Sequence, residues 1–303
     1  MKNKHLIIIV IILSVIAIVT YPKKEAKLDK KDENKTIFVK VKDQDTGVIE
    51  TLDLENYVVG VVAGEMPASF EMEALKAGAV AARTYAMYKI NNKTSEYDLV
   101  TDVTNQVYLN NEKMKEKWQD NYDYYFARIK KAVEDTSNLV ITYEGEIISS
   151  YYFAMSNGKT ENSELVFGEA KDYLQSVDSK KEETLTTFKQ TVKFSKSDFC
   201  SKLHITCENI TITDIQKTAS GRVDTIVIGN HLFKGTEVRQ ALNLRSTDFE
   251  ITVGDDIIIT TNGYGHGVGM SQYGANIMAK DGASFEEILK HYYQNTQITK
   301  LSV

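Results

Sequence analysis

A single acidic side chain interrupts an apolar stretch early in the chain. The sequence VVAGEMPASF, residues 61–70, places Glu65 two residues before Pro67, one of only two prolines among 303 residues. Apolar neighbours would raise the pKa of this carboxyl group, because a low-polarity environment disfavours the charged form. The neighbours in question are Val61, Val62, Ala63 and Met66. Glu65 is therefore a candidate general acid, and the alternatives are a helix-end carboxylate or a structural salt bridge to Arg83.

A second stretch, NGYGHGVGMSQYGA at residues 262–275, combines five glycines with hydrogen-bonding side chains. Glycine at this density indicates backbone with positive φ or a close approach to another group. The stretch lacks the Lys-Ser/Thr pair and the strand-to-helix context of phosphate-binding loops. Its side chains would suit sugar hydroxyls, and a merely tight loop is the alternative. The candidate substrate-binding residues here are His266, Ser271, Gln272 and Tyr273.

The two cysteines, Cys200 and Cys207, stand close together in CSKLHITC. In a protein outside the cytoplasm such a pair most simply forms a disulfide that closes a short loop. A zinc site that includes His204 and a pair of free thiols are the alternatives. The zinc alternative has only three candidate ligands at this spot.

Sequence patterns place Glu65 in a corner between two helices. LENYVVGVVAGEM is typical of a helix that ends before Pro67, since the residue before a proline is pushed away from helical geometry. The next helix, residues 72–90, is predicted to be capped by Ser69 and to carry a face of small residues. Tyr85 on this helix is a candidate for stacking on a sugar, with packing into the core as the equal alternative.

The remaining patterns predict an α+β fold. Aromatic and aliphatic residues recur at helical spacing over 118–133, which is typical of a core-facing helix. Hairpins are predicted at Glu144-Gly145 and Gly229-Asn230, and a late helix is predicted to begin after Ser284. Mixed hairpins and helices favour one compact extracytoplasmic unit, with an added smaller subdomain as an alternative, over a doubly wound sheet.

The first residues predict a membrane anchor. Residues 1–24 contain lysines followed by an apolar run from Leu6 to Val19 and then further lysines, with no good cleavage site, so a retained anchor is favoured over a cleaved signal peptide. Residues 25–36 are charged and polar and are predicted to form a tether. The predicted domain, residues 37–303, would then lie outside the cytoplasm.

The exported part is acidic. The formal net charge of −6 becomes −10 when the four lysines that flank the apolar run, Lys2, Lys4, Lys23 and Lys24, are left out. Nucleic-acid binding needs clustered Lys and Arg, so nucleic acid is not expected as a ligand.

Five ordered blocks resemble the stage II sporulation protein D family, which includes the amidase enhancers. The blocks are GVVAGEMPASFEMEALKAGAVAARTYA, TNQVY, SNGKTENSE, EVRQALNLRSTDF and GYGHGVGMSQYGA followed by EEILKHYY. They cover the chain from about residue 37 to its end. The resemblance implies a membrane-anchored lytic transglycosylase that cleaves peptidoglycan glycan strands between N-acetylmuramic acid and N-acetylglucosamine during sporulation engulfment, with Glu65 as its catalytic residue.

The resemblance also implies partners and a location. The partners would be the amidase stage II sporulation protein P and stage II sporulation protein M, in the mother-cell membrane facing the intermembrane space. Arg83 and Tyr85 become candidate substrate-binding residues. A single glutamate suffices in this mechanism because the muramic acid C6 hydroxyl is its own nucleophile, which yields a 1,6-anhydro product, whereas ordinary glycosidases use two carboxylates.

The sequence departs from the family pattern at three places. Some members carry Cys and His before the QVY block and bind zinc there, whereas this chain reads DLVTDVTNQVY, so no metal or other cofactor is expected. Ala154 stands where many relatives have a hydroxyl or histidine, and an aromatic and proline-containing stretch after LQSV is absent. Two other functions stay open: a non-catalytic wall-binding enhancer of an N-acetylmuramoyl-L-alanine amidase, and a structural scaffold.

Overall fold

A computed structural model describes residues 36–301 with the exception of residue 103. The helices of this part are α1 (Leu54–Glu65), α2 (Met72–Asn91), α3 (Asn111–Trp118), α4 (Tyr122–Asp135), α5 (Ser163–Phe167), α6 (Lys196–Leu203), α7 (Gly235–Ala241), α8 (Gln272–Lys280) and α9 (Phe285–Tyr292). The strands are β1 (Phe38–Lys42), β2 (Ile49–Asp53), β3 (Leu99–Val100), β4 (Leu139–Tyr143), β5 (Glu146–Ile147), β6 (Tyr152–Phe153), β7 (Lys189–Phe194), β8 (Ile212–Lys217), β9 (Val223–Ile228), β10 (His231–Lys234), β11 (Phe249–Val253), β12 (Ile257–Asn262), β13 (Met270–Ser271) and β14 (Gln297–Lys300). The mixture of helices and mostly antiparallel hairpins confirms the α+β class.

The corner predicted between the first two helices is present. Asp53 caps α1 by accepting a hydrogen bond from the backbone N–H of Asn56. The helix ends at Glu65, and Met66, directly before Pro67, is extended. Glu65 therefore lies on the last turn of a helix whose other residues are largely buried.

Two hydrophobic cores organise the described residues. The larger core surrounds α2, whose small-residue face is almost completely buried, and it includes α1, α4, α8, α9 and β4. In its sheets, β1 pairs with β2 and β3, while β4 pairs with β14 and β5. Small side chains on α2 let neighbouring elements pack closely on several sides, which suits a central helix.

The smaller core lies between residues 192 and 259. Two three-stranded antiparallel sheets form it, in the orders β10-β9-β8 and β11-β12-β7, together with α6 and α7. α7 packs on β9, and Val238 of α7 is fully buried. The chain enters this core after the SNGKTENSE block and leaves it at the glycine-rich stretch.

Most local predictions hold, and one cap is wrong. The hairpins at Glu144-Gly145 and Gly229-Asn230 are confirmed as β4-β5 and β9-β10, and Ser284 caps α9 in a capping box with Glu287. Ser69 does not cap α2, because residues 67–70 form a turn closed by the Phe70 N–H on the Pro67 carbonyl and the helix begins only at Met72.

Cys200 and Cys207 are joined by a disulfide, which leaves neither sulfur available as a zinc ligand or a free thiol. His204, between them, has positive φ at the end of α6. The predicted anchor and all but the last residue of the tether lie outside the described residues. None of the helices in the described part is long and apolar enough to cross a membrane.

Candidate active site

A cavity of about 480 Å³ collects segments that are distant in the chain. It is lined by the end of α1, the TNQVY block, residues 150–154, α5, α7 and the glycine-rich stretch. α1, the TNQVY block and residues 150–154 pack in the larger core, whereas α7 packs in the smaller core. The cavity therefore lies where the two cores meet. Among the described residues that line it, Glu65 is the only carboxylate and Arg239 is the only basic side chain besides His266.

A larger groove, of about 820 Å³, also borders α1 but does not include Glu65. Its acidic side chains are Glu50, Glu55, Glu112 and Glu134. Two of these are already paired, Glu55 with Arg83 and Glu134 with Lys130. The smaller cavity is the better candidate site because its carboxyl group is partly buried and has a raised pKa, whereas the two unpaired acidic residues of the groove, Glu50 and Glu112, are exposed.

The Glu65 carboxyl group is held by two contacts from other segments. The backbone N–H of Val107 donates to Oε1 at 2.7 Å, and the Gln272 side chain approaches Oε2 with its Nε2 at 3.4 Å. The first contact is a strong hydrogen bond and the second is long. Oε1 is thus engaged as an acceptor, which leaves Oε2 as the oxygen that can carry a proton.

Burial raises the pKa of Glu65 above its usual value. The Val107 N–H, the Gln272 amide and the charge of Lys117 oppose this shift without cancelling it. The apolar side next to the carboxyl group includes Val61, Val62 and Met66. The fourth expected neighbour, Ala63, is buried but is placed differently: its carbonyl accepts a hydrogen bond from Lys117 at 2.8 Å.

Gly64 explains how the TNQVY block comes so close to Glu65. A Cβ atom at position 64 would lie 2.4 Å from the carbonyl oxygen of Val107, which is far inside contact distance. Only glycine lets the backbone of residue 107 approach α1 at this point. The same approach brings the Val107 N–H to the carboxyl group.

His266 lines the cavity as a neutral ring with both nitrogens occupied. The Val268 N–H donates to Nδ1 at 3.1 Å, so Nε2 carries the proton and donates to the Tyr152 carbonyl oxygen at 3.0 Å. Burial and the nearby positive charge of Arg239 lower the pKa of His266 to about 3. His266 lines the cavity as expected, and it stays a predicted substrate-binding residue. Its two ring nitrogens are already hydrogen-bonded to local backbone groups.

Aromatic rings form one wall of the cavity. Tyr151 stacks on Phe167 with ring centroids 4.4 Å apart, and Phe167 meets His266 edge-on at 5.3 Å. Tyr85 lies next to Tyr151 at 5.9 Å, and burial raises its pKa to about 12. Phe167 remains 44% exposed, which gives a ligand an accessible apolar face.

Comparison with known proteins identifies the family. A family model described as stage II sporulation protein matches residues 42–143. Stage II sporulation protein D of Bacillus subtilis (strain 168) is 41% identical over 260 residues, which cover 83% of this chain and 76% of that protein. The chain belongs to the stage II sporulation protein D family.

Two further relatives are informative. Stage II sporulation protein D of Bacillus amyloliquefaciens is 42% identical over 260 residues, with 83% of this chain and 76% of that protein covered. An amidase enhancer of Bacillus subtilis (strain 168) is 29% identical over 299 residues, with 79% of this chain and 40% of that protein covered. The resemblance seen in the five sequence blocks is therefore confirmed at the level of the family.

In this family member Arg83, a predicted substrate-binding residue, is not among the residues that line the cavity. Its side chain is fully buried and forms a two-pronged ion pair with Glu55, at 2.8 and 2.6 Å. It also donates to the carbonyl oxygens of Leu139 and Val133. Arg83 therefore pairs with Glu55 and not with Glu65, and it joins α1 and α2 to α4 and β4.

Ser271 and Tyr273, also predicted to bind substrate, lie outside the cavity lining. Ser271 is fully buried, accepts from the Gly274 N–H as the cap of α8 and donates to Glu182 at 2.7 Å. Tyr273 packs edge-on against Phe70 at 5.0 Å. On a helix beginning at Gln272, only that first side chain is directed to the cavity.

Glu182 is a second buried carboxyl group that the sequence did not indicate. It accepts hydrogen bonds from the hydroxyls of Ser156, Ser179 and Ser271 at 2.6–2.7 Å. By fixing Ser271, it holds the start of α8 and hence Gln272 beside Glu65. No local pattern marks Glu182, since its partners are separated from it by up to 89 residues.

Proposed function

We propose that this protein is a peptidoglycan lytic transglycosylase that uses Glu65 as its only acid and base. The observation that supports this most is the solitary half-buried carboxyl group with a raised pKa in a cavity with aromatic walls. A hydrolase of the usual kind needs a second carboxylate about 5 to 10 Å away. Among the described residues that line this cavity there is none, so a nucleophile supplied by the sugar fits the site better.

The reaction follows from the two oxygens of Glu65. Oε1 accepts the Val107 N–H, and the proton on Oε2 passes to the glycosidic oxygen between N-acetylmuramic acid and N-acetylglucosamine as the bond to C1 breaks. The C6 hydroxyl of the muramic acid then bonds to C1 and gives its proton to the Glu65 carboxylate. The products are a 1,6-anhydromuramyl end and a free N-acetylglucosamine end, and Glu65 is protonated again.

The product ends test this proposal. The purified full chain, incubated with peptide-free glycan strands, is expected to release 1,6-anhydromuramyl ends, detected as a loss of 18 Da relative to hydrolysed ends by mass analysis of the products. Reducing muramic acid ends would instead indicate hydrolysis. Intact strands would contradict the enzyme proposal.

A second candidate is a non-catalytic wall-binding protein that enhances an N-acetylmuramoyl-L-alanine amidase. The 29% identical amidase enhancer and the exposed aromatic wall support it. Intact strands together with a faster reaction of an added amidase would favour this function. A scaffold would show neither glycan binding nor amidase stimulation.

The cellular setting is part of the proposal. We infer a role in sporulation because the matching family model and the similar Bacillus subtilis protein are both described as stage II sporulation proteins. We infer a single-pass anchor at residues 1–24 with the domain outside the cytoplasm, and action in engulfment alongside stage II sporulation proteins P and M. These inferences rest on the sequence and the resemblance.

The acid role predicts a pH dependence that Lys117 should modify. Glycan cleavage is expected to fall as the pH rises through the raised pKa of Glu65, because the acid loses its proton. The positive charge of Lys117 lowers this pKa. Lys117→Met should therefore raise the pKa further and move the alkaline limb of the pH–rate profile to higher pH. Lys113→Met, which removes an exposed lysine from the same helix, is the matched control. If the alkaline limb of the pH–rate profile lay at the same pH in both variants, the assignment of this limb to Glu65 would be refuted.

A further inference from the structure

Arg239 stands in the cavity with the end of its side chain unengaged. It lies on α7, which is anchored in the smaller core by Val238. Its Nε donates to the Leu244 carbonyl oxygen at 3.2 Å, and this is the only hydrogen bond that its side chain makes to another described residue. The two terminal nitrogens therefore keep their donors for a ligand, while the Nε bond fixes the direction of the side chain.

The charge of Arg239 has no counterpart in the cavity wall. Glu65 is the only carboxylate among the described lining residues, and its hydrogen bonds are with Val107 and Gln272 rather than with Arg239. His266, with a pKa of about 3, is neutral. Burial lowers the pKa of Arg239, so its charge is held at a cost that no lining carboxylate offsets. A partly desolvated guanidinium with free donors is suited to a carboxylate, which it can bind through two parallel hydrogen bonds.

The proposed substrate offers one carboxylate directly on its sugar backbone. N-acetylmuramic acid carries a lactyl ether, which ends in a free carboxylate where no peptide is attached and in a neutral amide where a peptide is attached. Resting on the proposed function, we propose that Arg239 binds the lactyl carboxylate of N-acetylmuramic acid and is the residue by which the site distinguishes peptide-free muramyl residues from substituted ones.

Binding measured without turnover tests this assignment. The full-length Glu65→Gln variant is titrated calorimetrically with three tetrasaccharides of N-acetylglucosamine and N-acetylmuramic acid, which carry the free lactyl acid, its carboxamide or an attached stem peptide. We expect the acid to bind about tenfold or more tightly than the carboxamide, as for hydrogen bonds to a charged partner. Adding Arg239→Gln should remove this difference.

Arg245→Gln is the matched control in the same background. Arg245 stacks on the outer wall residue Tyr264, with its guanidinium 5.1 Å from the ring centre, and is not among the lining residues. The variant has the same change of charge and should keep the preference for the acid. Thermal unfolding of both arginine variants checks that they are folded.

Several outcomes would overturn the assignment. Equal affinity for acid and carboxamide, or no binding of any tetrasaccharide, would do so. A third such outcome concerns the tetrasaccharide that carries a stem peptide. If it bound as tightly as the free acid and lost that affinity in Arg239→Gln, the carboxylate that Arg239 recognises would belong to the peptide. Glycan cleavage without discrimination refutes only the role of Arg239, whereas discrimination without anhydro ends refutes only the enzyme proposal.

Discussion

Replacing Glu65 with glutamine is expected to lower the rate of anhydro-end release by about a thousandfold or more, within the range for loss of a general acid and base. Glutamine can still accept the Val107 N–H through its amide oxygen, so the geometry around α1 should be retained. It has no proton to give to the glycosidic oxygen and cannot take one from the C6 hydroxyl. Single-turnover rates at fixed pH, with products counted by mass analysis, measure the loss.

The stability of the same variant separates chemistry from unfolding. A carboxyl group whose pKa is raised by folding binds more protons in the folded state than in the unfolded state, so its contribution to stability is lost as the pH rises through the unfolded and then the folded pKa. Glu65→Gln has no group that titrates at this position, so it does not lose stability in this way as the pH rises. At neutral pH the variant should therefore unfold at the same or a higher temperature than the parent protein.

Glu112→Gln provides the matched control for the loss of activity. Glu112 is an exposed residue of α3 and lies outside the cavity. Its replacement should leave the rate of cleavage unchanged. Undiminished cleavage by Glu65→Gln would refute the mechanism, and a large drop in its unfolding temperature would show that the carboxylate is structural.

The largest effect on stability is expected at the buried ion pair. Glu55→Ala should lower the free energy of unfolding by about 3 kcal/mol, because it leaves the Arg83 guanidinium buried without a counter-charge. This value is at the low end of the stability losses that follow when one partner of a buried ion pair is removed, because the Glu55 side chain is 29% exposed whereas Arg83 is fully buried. Glu55 also accepts the Asn138 N–H at 3.2 Å. Denaturant titration at neutral pH measures the change.

A double variant tests whether the unpaired charge is the cause. Arg83→Met combined with Glu55→Leu should recover part of the loss, since neither charge is then buried alone. The recovery is partial because the carbonyl groups of Leu139 and Val133 lose their donors. Glu50→Ala, on exposed β2, should change the free energy of unfolding by less than about 0.5 kcal/mol. If Glu55→Ala were equally mild, the pair would have no structural importance.

The sequence by itself determined the features that depend on neighbouring residues. α1 ends at Glu65, two residues before Pro67. Ser284 and Glu287 close a capping box, and the turns of both predicted hairpins are present. Such signals act over a few residues, through backbone geometry and caps. The ordered blocks also sufficed to recognise the family.

Only the tertiary structure decided which side chains share the cavity. Arg83 pairs with Glu55 rather than with Glu65, Ser271 turns inward to Glu182, and Arg239 reaches the site from the smaller core. Glu55 lies 28 residues from Arg83 and Glu182 lies 89 residues from Ser271, and the packing of the elements brings each pair together. Local patterns show whether a residue lies on a helix or a turn, but a side chain's partner depends on how the elements pack.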